Sequence, residues 1–488
     1  MPKKFPENRF VNRGRGHSFS GRFNLRWQMP SSALVSGILP LSHRRVCVRR
    51  RRQRVVVASW SSAGATPPGV PTGTRKPVAS VVGAGIVGLT TALRLQEAGF
   101  DVTVTHAEDE HDLVSHGSGG FWFPYLVENM DRVGPWAKAT YDAFLSEMRA
   151  SPFYKPGSVN KDVPGGECVR MRDVLVFDDL PRRPPVPNWA PPDMRKLGTD
   201  ELPPLDDLFD AYGVHISGGW GFRAPVVEMP GYLRALRQRV ADGGGKFEKR
   251  QLTSLTDAAP HNADVVVNCA GLGNHERHGR LARDPALYPI RGQVVKVKAP
   301  HVQQVFVADL DGFTSYAIPR GDCVVIGGTH DDDEWDIMPD RDEAEAIMKR
   351  AAAFLPRGYL DNAEILGHWS GLRPARRGGA RLELDDEPDG KGRRVVHCYG
   401  HGGAGVTCSW GCADEVVDIC RDCVKDTPMA VARPRVDDRD QSNNAVRTGA
   451  DVRSSKSAQI LKDWILKSVK KGGVAPTPKP QEPLPQER

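Results

Sequence analysis

Two glycine-rich segments far apart in the chain carry the residues best suited to chemistry. The first runs Gly83-Ala84-Gly85-Ile86-Val87-Gly88, three glycines at G-x-G-x-x-G spacing. The first glycine permits a tight turn, the second lets backbone approach a pyrophosphate, and the third lets a helix pack on a strand; the helix N-terminus then supplies N–H groups that favour the anion. Glu108 follows 20 residues after Gly88, where a carboxylate can accept hydrogen bonds from ribose hydroxyls. The second segment is Gly402-Gly403-Ala404-Gly405-Val406-Thr407, which feeds another helix and offers a second set of N–H donors at a positive dipole end. Together these features read as a dinucleotide site. The plain alternative for the second segment alone is an ordinary glycine turn capped by its helix.

The elements that must hold these residues are legible around them. The apolar run 78–82 predicts a strand, Ile86, Leu89 and Leu93 share one face of a helix, Gly99 stops it, and alternating Phe100, Val102 and Val104 make a second strand: one βαβ unit. Residues 263–268 form an apolar strand suited to burial on both faces, ending in small residues at Ala270 and Gly271 that let a ligand come close. Tyr288 opens an alternating strand. Segments 315–320 and 323–329 read as an antiparallel hairpin, so a mixed sheet is expected in a second domain. Ser409–Cys423 reads as a helix.

The 488 residues allow two domains plus extensions. No apolar stretch reaches the roughly 18 residues of a membrane span. Residues 1–77 hold 16 Lys/Arg against one acid, Glu7, whereas the remainder holds 51 basic and 59 acidic residues. The body is therefore mildly acidic, and the overall charge of +7 is no argument for nucleic acid. The Arg- and Ser-rich opening has the composition of an organellar transit peptide, assigned to 1–59, with 60–77 as linker. A plastid is favoured over a mitochondrion. A peroxisome is disfavoured, because the chain ends Pro-Gln-Glu-Arg without a Ser-Lys-Leu address. Residues 425–488 read as a polar, largely disordered tail with one short helix at 457–471. Of nine cysteines, Cys408, Cys412, Cys420 and Cys423 fall on one helix, its outer pair about 22 Å apart along the axis. That spacing argues against a shared metal, and none is assigned; a reducing compartment is the simpler reading.

The chain resembles the D-amino acid oxidase family, including its D-aspartate oxidase branch. The resemblance rests on Val81-Val82-Gly83-Ala84-Gly85-Ile86-Val87-Gly88-Leu89, Gly120-Phe121-Trp122-Phe123-Pro124-Tyr125, the apolar strand ending at Gly271, and Arg291-Gly292-Gln293-Val294-Val295. It continues with Gly371-Leu372-Arg373-Pro374-Ala375-Arg376 and Tyr399-Gly400-His401-Gly402-Gly403-Ala404-Gly405-Val406-Thr407, in family order between Val78 and Val424. The fold it implies is α/β, with a Rossmann-like FAD-binding domain (about 78–125, 263–275 and 366–424) interleaved with a mixed-sheet substrate-binding domain (about 126–262 and 276–365). It implies FAD as cofactor, a small-molecule D-amino acid and oxygen as reactants, and oxidation to an imino acid by hydride transfer, giving 2-oxo acid, ammonia and hydrogen peroxide. A homodimer stays open.

By the same resemblance, Arg373 binds the substrate α-carboxylate, Tyr316 reaches it with its hydroxyl, and Gly403 lies beside both. Residues 402–407 lie along the flavin pyrimidine edge, with Thr407 as side-chain donor. His401 is read as structural. The chain departs from the pattern at Gly312, where many members carry a lid tyrosine, and at Thr105-His106-Ala107, which replaces a more acidic strand end before Glu108. Asp309 and Asp311 near the entrance disfavour an acidic substrate, with Arg223 and Arg320 the nearest competing cations to consider. Neutral D-amino acids are the preferred reading. The alternatives are a D-aspartate oxidase, a glycine- or sarcosine-type amine oxidase, and a catalytically weak FAD-binding regulatory protein.

Overall fold

The computed structural model describes residues 75–150, 168–179, 186–202, 211–258, 262–310 and 313–425. The expected transit peptide, the tail helix, Asp311 and Gly312 lie outside them. The structure is α/β, as the sequence reading expected, and is built on two sheets.

The first sheet has the order 381–384, 394–399, 265–268, 78–82, 101–106, 246–249. Strand Val78–Val82 is buried on both faces and runs parallel to Asp101–His106 on one side and Val265–Asn268 on the other. The strand order reverses between 78–82 and 265–268, and a ligand crevice opens at the C-terminal edge of such a reversal. Gly83 leaves the first of these strands and Gly271 follows the second, so both candidate glycines stand at that edge. The helix Ile86–Glu97 begins straight after the first turn and presents Ile86, Leu89 and Leu93 to the core.

The second sheet has nine strands and is mixed: Val169–Asp178 runs parallel to Val305–Leu310, and the remaining pairs are antiparallel. Its long strand Leu287–Lys298 pairs with Val324–Gly327 on one edge and with Glu364–Arg376 on the other. Phe313–Pro319 and Val324–Gly327 form the expected hairpin, in which Tyr316 stands opposite Gly327.

Two boundaries differ from the sequence-based division. Lys246–Lys249, expected with the substrate domain, is the edge strand of the first sheet. It is mostly exposed, so it carries no apolar signal to betray its place. Glu364–Arg376, most of it expected with the FAD-binding parts, belongs to the second sheet because its register follows Leu287–Lys298 along its whole length.

Candidate active site

The dinucleotide turn is shaped by what cannot fit there. Gly83 has φ +110°, and a Cβ would come within 2.5 Å of the Cys269 carbonyl oxygen; a Cβ on Gly88 would overlap the Gly83 carbonyl. No side chain caps the helix at Gly85, and its first turn holds no acid. The Ile86 N–H is taken by the Ser115 hydroxyl at 3.1 Å. Apart from that one N–H, the turn leaves a cradle suited to a phosphate. Glu108 follows the strand Asp101–His106 with its side chain exposed. The neighbouring His106 fixes that turn: Nδ1 pairs with the Glu108 carbonyl at 2.9 Å and Nε2 with Arg237 at 3.2 Å. Surrounding protein and then Asp112 raise the Glu108 carboxyl above its ordinary range.

The loop before Gly271 is held by a buried polar network. Asn268 donates to Asn274 at 2.6 Å and accepts from the Ala270 N–H at 3.2 Å; Asn268 also meets His397, whose Nε2 contacts Asp385 at 2.8 Å. Burial holds the His397 imidazole below its ordinary range against the opposing pull of Asp385. Gly271 has φ +52° and faces Pro374, the residue after Arg373, so the two halves of the site touch there.

The second glycine segment forms a 3-10 turn at Gly402–Ala404 and leads into the helix Gly405–Lys425, which also lacks an acid in its first turn. Gly402 has φ +55°, where a Cβ would overlap the Leu126 carbonyl, and the Gly403 N–H donates to that same carbonyl at 3.3 Å. A Cβ on Gly405 would have only Ile86 Cγ2 near it, at 4.0 Å. The two glycine segments are therefore neighbours in space. Thr407 departs from the expectation. Its hydroxyl donates to the Phe123 carbonyl at 2.8 Å and accepts from the Phe123 N–H at 3.0 Å, and the residue is fully buried. Its one proton is spent tying the helix to segment 120–125, so it is not a free donor.

Between these elements lies a cavity of about 660 Å³, counting the part open to solvent. Its lining joins Ser118, Gly119 and Gly120 to Phe121, Phe123, Tyr125, Val307, Thr314, Tyr316, Ile318, Arg373, Gly403 and Val406. Arg373, Tyr316 and Gly403, expected together, do meet here. The half-buried Arg373 guanidinium is anchored from one Nη only, to the carbonyls of Thr329 at 3.1 Å and Arg291 at 3.3 Å. Among the described residues no carboxylate pairs with it. Tyr316 lies across Gly327 and Gly328, where a Cβ would strike its ring and hydroxyl, and Gly292 lies against the Arg373 guanidinium.

Sequence reasoning assigned no role to those three glycines, which look like ordinary strand glycines until their neighbours are known. It also passed over Tyr125 and Thr314. Both line the cavity, and burial first, then the Asp309 charge, pushes the Tyr125 ionisation well upward. Arg223 and Arg320 are now placed. Arg320 is 1% exposed and committed to Asp322 and the carbonyls of His116 and Ser118. Arg223 is exposed and faces Asp173 at 3.5 Å. Neither lines the cavity.

A buried thiol group lies outside the cavity. Cys398, His401 and Cys412 bring their ligand atoms within 4.8 Å of one another, a grouping missed because it spans a strand, a turn and a helix. Burial raises the Cys412 thiol, but hydrogen bonding from Cys398 and the nearby His401 outweigh it and hold the thiol below its ordinary range. The eight described cysteines are free.

The fold and cavity thus define an α/β protein with two glycine cradles at a strand-order reversal and an arginine, unpaired among the described residues, on an adjoining cavity. A family model described as "FAD dependent oxidoreductase" (DAO) matches residues 79–419, and the chain belongs to that family. FAD is its cofactor, consistent with the glycine cradles above. The chain is 40% identical over 348 residues to a D-amino-acid oxidase of Rubrobacter xylanophilus, covering 70% of this chain and 95% of that one. It is 31% identical over 352 residues to the D-aspartate oxidase of Homo sapiens, covering 71% and 95%. A glycine oxidase from Geobacillus kaustophilus shares the fold with a TM-score of 0.54 at 18% identity, covering 71% of this chain and 95% of that one. Among the described residues no helix is long and apolar enough to cross a membrane.

Proposed function

We propose that this enzyme oxidises neutral D-amino acids to imino acids, which water converts to 2-oxo acids and ammonia, with oxygen carrying the electrons away as hydrogen peroxide. The observation that carries this reading is Arg373, a half-buried cation with no counter-ion among the described residues, which opens on a largely apolar cavity. A half-buried guanidinium in that position favours an anionic ligand, and its planar fork suits a carboxylate.

Gly83–Gly88, Glu108, Gly271 and Gly402–Val406 are the residues that would hold FAD. Bound there, FAD supplies a two-electron acceptor for the substrate Cα–H bond. Arg373 and Tyr316 fix the α-carboxylate and so set where the Cα–H points. Among the described residues the lining carries no histidine, lysine or carboxylate to act as a base. A substrate entering with its amine neutral needs none, so placement is the main contribution of the protein. The relatives named D-amino-acid oxidase support the substrate class. The absence of a second cation from the lining among the described residues, with Arg223 and Arg320 engaged elsewhere, weighs against an acidic side chain.

Oxygen uptake and peroxide release by purified protein with D-alanine, L-alanine and D-aspartate test the proposal. Turnover of D-alanine alone supports it. Preference for D-aspartate, or no turnover of any D-amino acid, overturns it. The basic, acid-poor residues 1–59 support import into a plastid; a fluorescent fusion of that segment that stays in the cytosol would contradict this.

A further inference from the structure

Side chains alternate along a strand, so Asp309 faces the same side as Val307, which lines the cavity. In the antiparallel pairing of Val305–Leu310 with Phe313–Pro319, Val307 stands opposite Tyr316 and Asp309 opposite Thr314. Thr314 and Tyr316 both line the cavity. Asp309 is therefore one step further along the face that holds the substrate-orienting tyrosine, about 7 Å outward along the strands. Its carboxylate lies 3.5 Å from the Thr314 hydroxyl, and its charge reaches Tyr125 on the cavity wall.

Among the described residues no lysine or arginine forms an ion pair with Asp309. The ionisable groups that act on it are His330 and Asp179. It is open to solvent on one side, yet the surrounding protein raises its carboxyl above the ordinary value, with His330 opposing. Among the described residues, a carboxylate with no lysine or arginine partner thus stands just beyond Val307 and Thr314 of the cavity wall, while Arg373 on the same cavity has no carboxylate partner. That polarity suits a molecule with an anionic head, an aliphatic stem and a cationic tip.

We propose that Asp309 is a specificity residue forming a cation subsite. The enzyme then also takes D-amino acids with long side chains ending in ammonium or guanidinium, and prefers them to uncharged side chains of equal length. The inference rests on the oxidase reading above. The four-carbon stem of lysine fills the apolar middle and its ammonium meets the carboxylate, an attraction exposed enough to be screened by salt.

The test compares D-lysine with D-norleucine, which has the same stem without the charge, at pH 8.5 in the holoenzyme and in Asp309→Asn. The expected result is a kcat/KM about tenfold higher for D-lysine in the native enzyme. In Asp309→Asn the D-lysine KM rises to remove that advantage, while the D-norleucine KM changes far less. Independently of any variant, raising the ionic strength should raise the D-lysine KM and not that of D-norleucine. Equal use of both substrates by the native enzyme, or equal effects of the variant and of salt on both, overturns the subsite and leaves the oxidase reading intact. No turnover of D-norleucine, D-lysine or D-alanine overturns the oxidase reading and the subsite with it.

Discussion

Gly292 lies directly against Arg373: a Cβ added at 292 would overlap Cζ and both Nη atoms of the guanidinium. Gly292 stands opposite Gly371 in the antiparallel pair, and Arg373 is two residues further along that partner strand. The arginine can therefore lie flat over the neighbouring strand, with one Nη on the carbonyls of Arg291 and Thr329, and its remaining donors are left for a ligand.

Gly292→Ala should act as a substrate-affinity mutation although residue 292 is absent from the cavity lining. Displacing the guanidinium weakens a hydrogen bond to a charged group, worth about 1.5–3 kcal/mol. The KM for D-alanine should rise roughly ten- to a hundredfold, with flavin content unchanged. Arg373→Lys should behave similarly, because an ammonium lacks the bidentate fork. Steady-state kinetics on flavin-replete protein checks both, and an unchanged KM in Gly292→Ala would break the proposed link.

Tyr316→Phe removes one donor to the carboxylate and leaves the ring packed over Gly327 and Gly328. The expected loss is about tenfold in kcat/KM, carried by KM. A fall in kcat alone would assign Tyr316 a different role.

Two glycine substitutions separate cofactor binding from backbone strain. Gly83→Ala places a Cβ within 2.5 Å of the Cys269 carbonyl at φ +110°, so it should abolish flavin retention, read as the ratio of visible to ultraviolet absorbance. Gly99→Ala also sits at positive φ (+91°) but meets nothing within 4 Å. It should cost only about 1–2 kcal/mol of stability and keep the flavin. Equal flavin loss in both variants would mean that the turn at Gly83 has no special part in the cradle.

The fold should lose stability in mild acid through His397. Its pKa is depressed in the folded state by burial, so the unfolded chain binds a proton at higher pH than the native protein does. The stability tied to the neutral imidazole is complete above the ordinary value of 6.5 and is lost as the pH falls through the depressed folded value. Melting temperatures should fall as the pH drops below that ordinary value, and less steeply in His397→Gln. Parallel pH profiles would remove His397 from that account.

What the sequence made legible was local. The spacing of Gly83, Gly85 and Gly88, the alternation after Gly99 and the apolar run before Gly271 each report a backbone demand within a few residues. Arg373 and Tyr316 were legible only through longer motifs that carried a family resemblance. Hidden features depended on partners far along the chain. The role of Gly292 depends on residue 373, the hydroxyl of Thr407 was claimed by Phe123, and the cluster of Cys398, His401 and Cys412 joins a strand to a helix. Lys246–Lys249 was misplaced because an exposed edge strand needs no apolar side chains.

The most direct test of the central claim is the visible spectrum of the purified holoprotein mixed anaerobically with D-alanine, L-alanine or D-aspartate. Bleaching of the flavin band by D-alanine, with L-alanine silent and D-aspartate far weaker, is the predicted result. A flavin that bleaches equally with both alanine enantiomers, or with none of the three, would contradict an Arg373-centred site for D-amino acid oxidation.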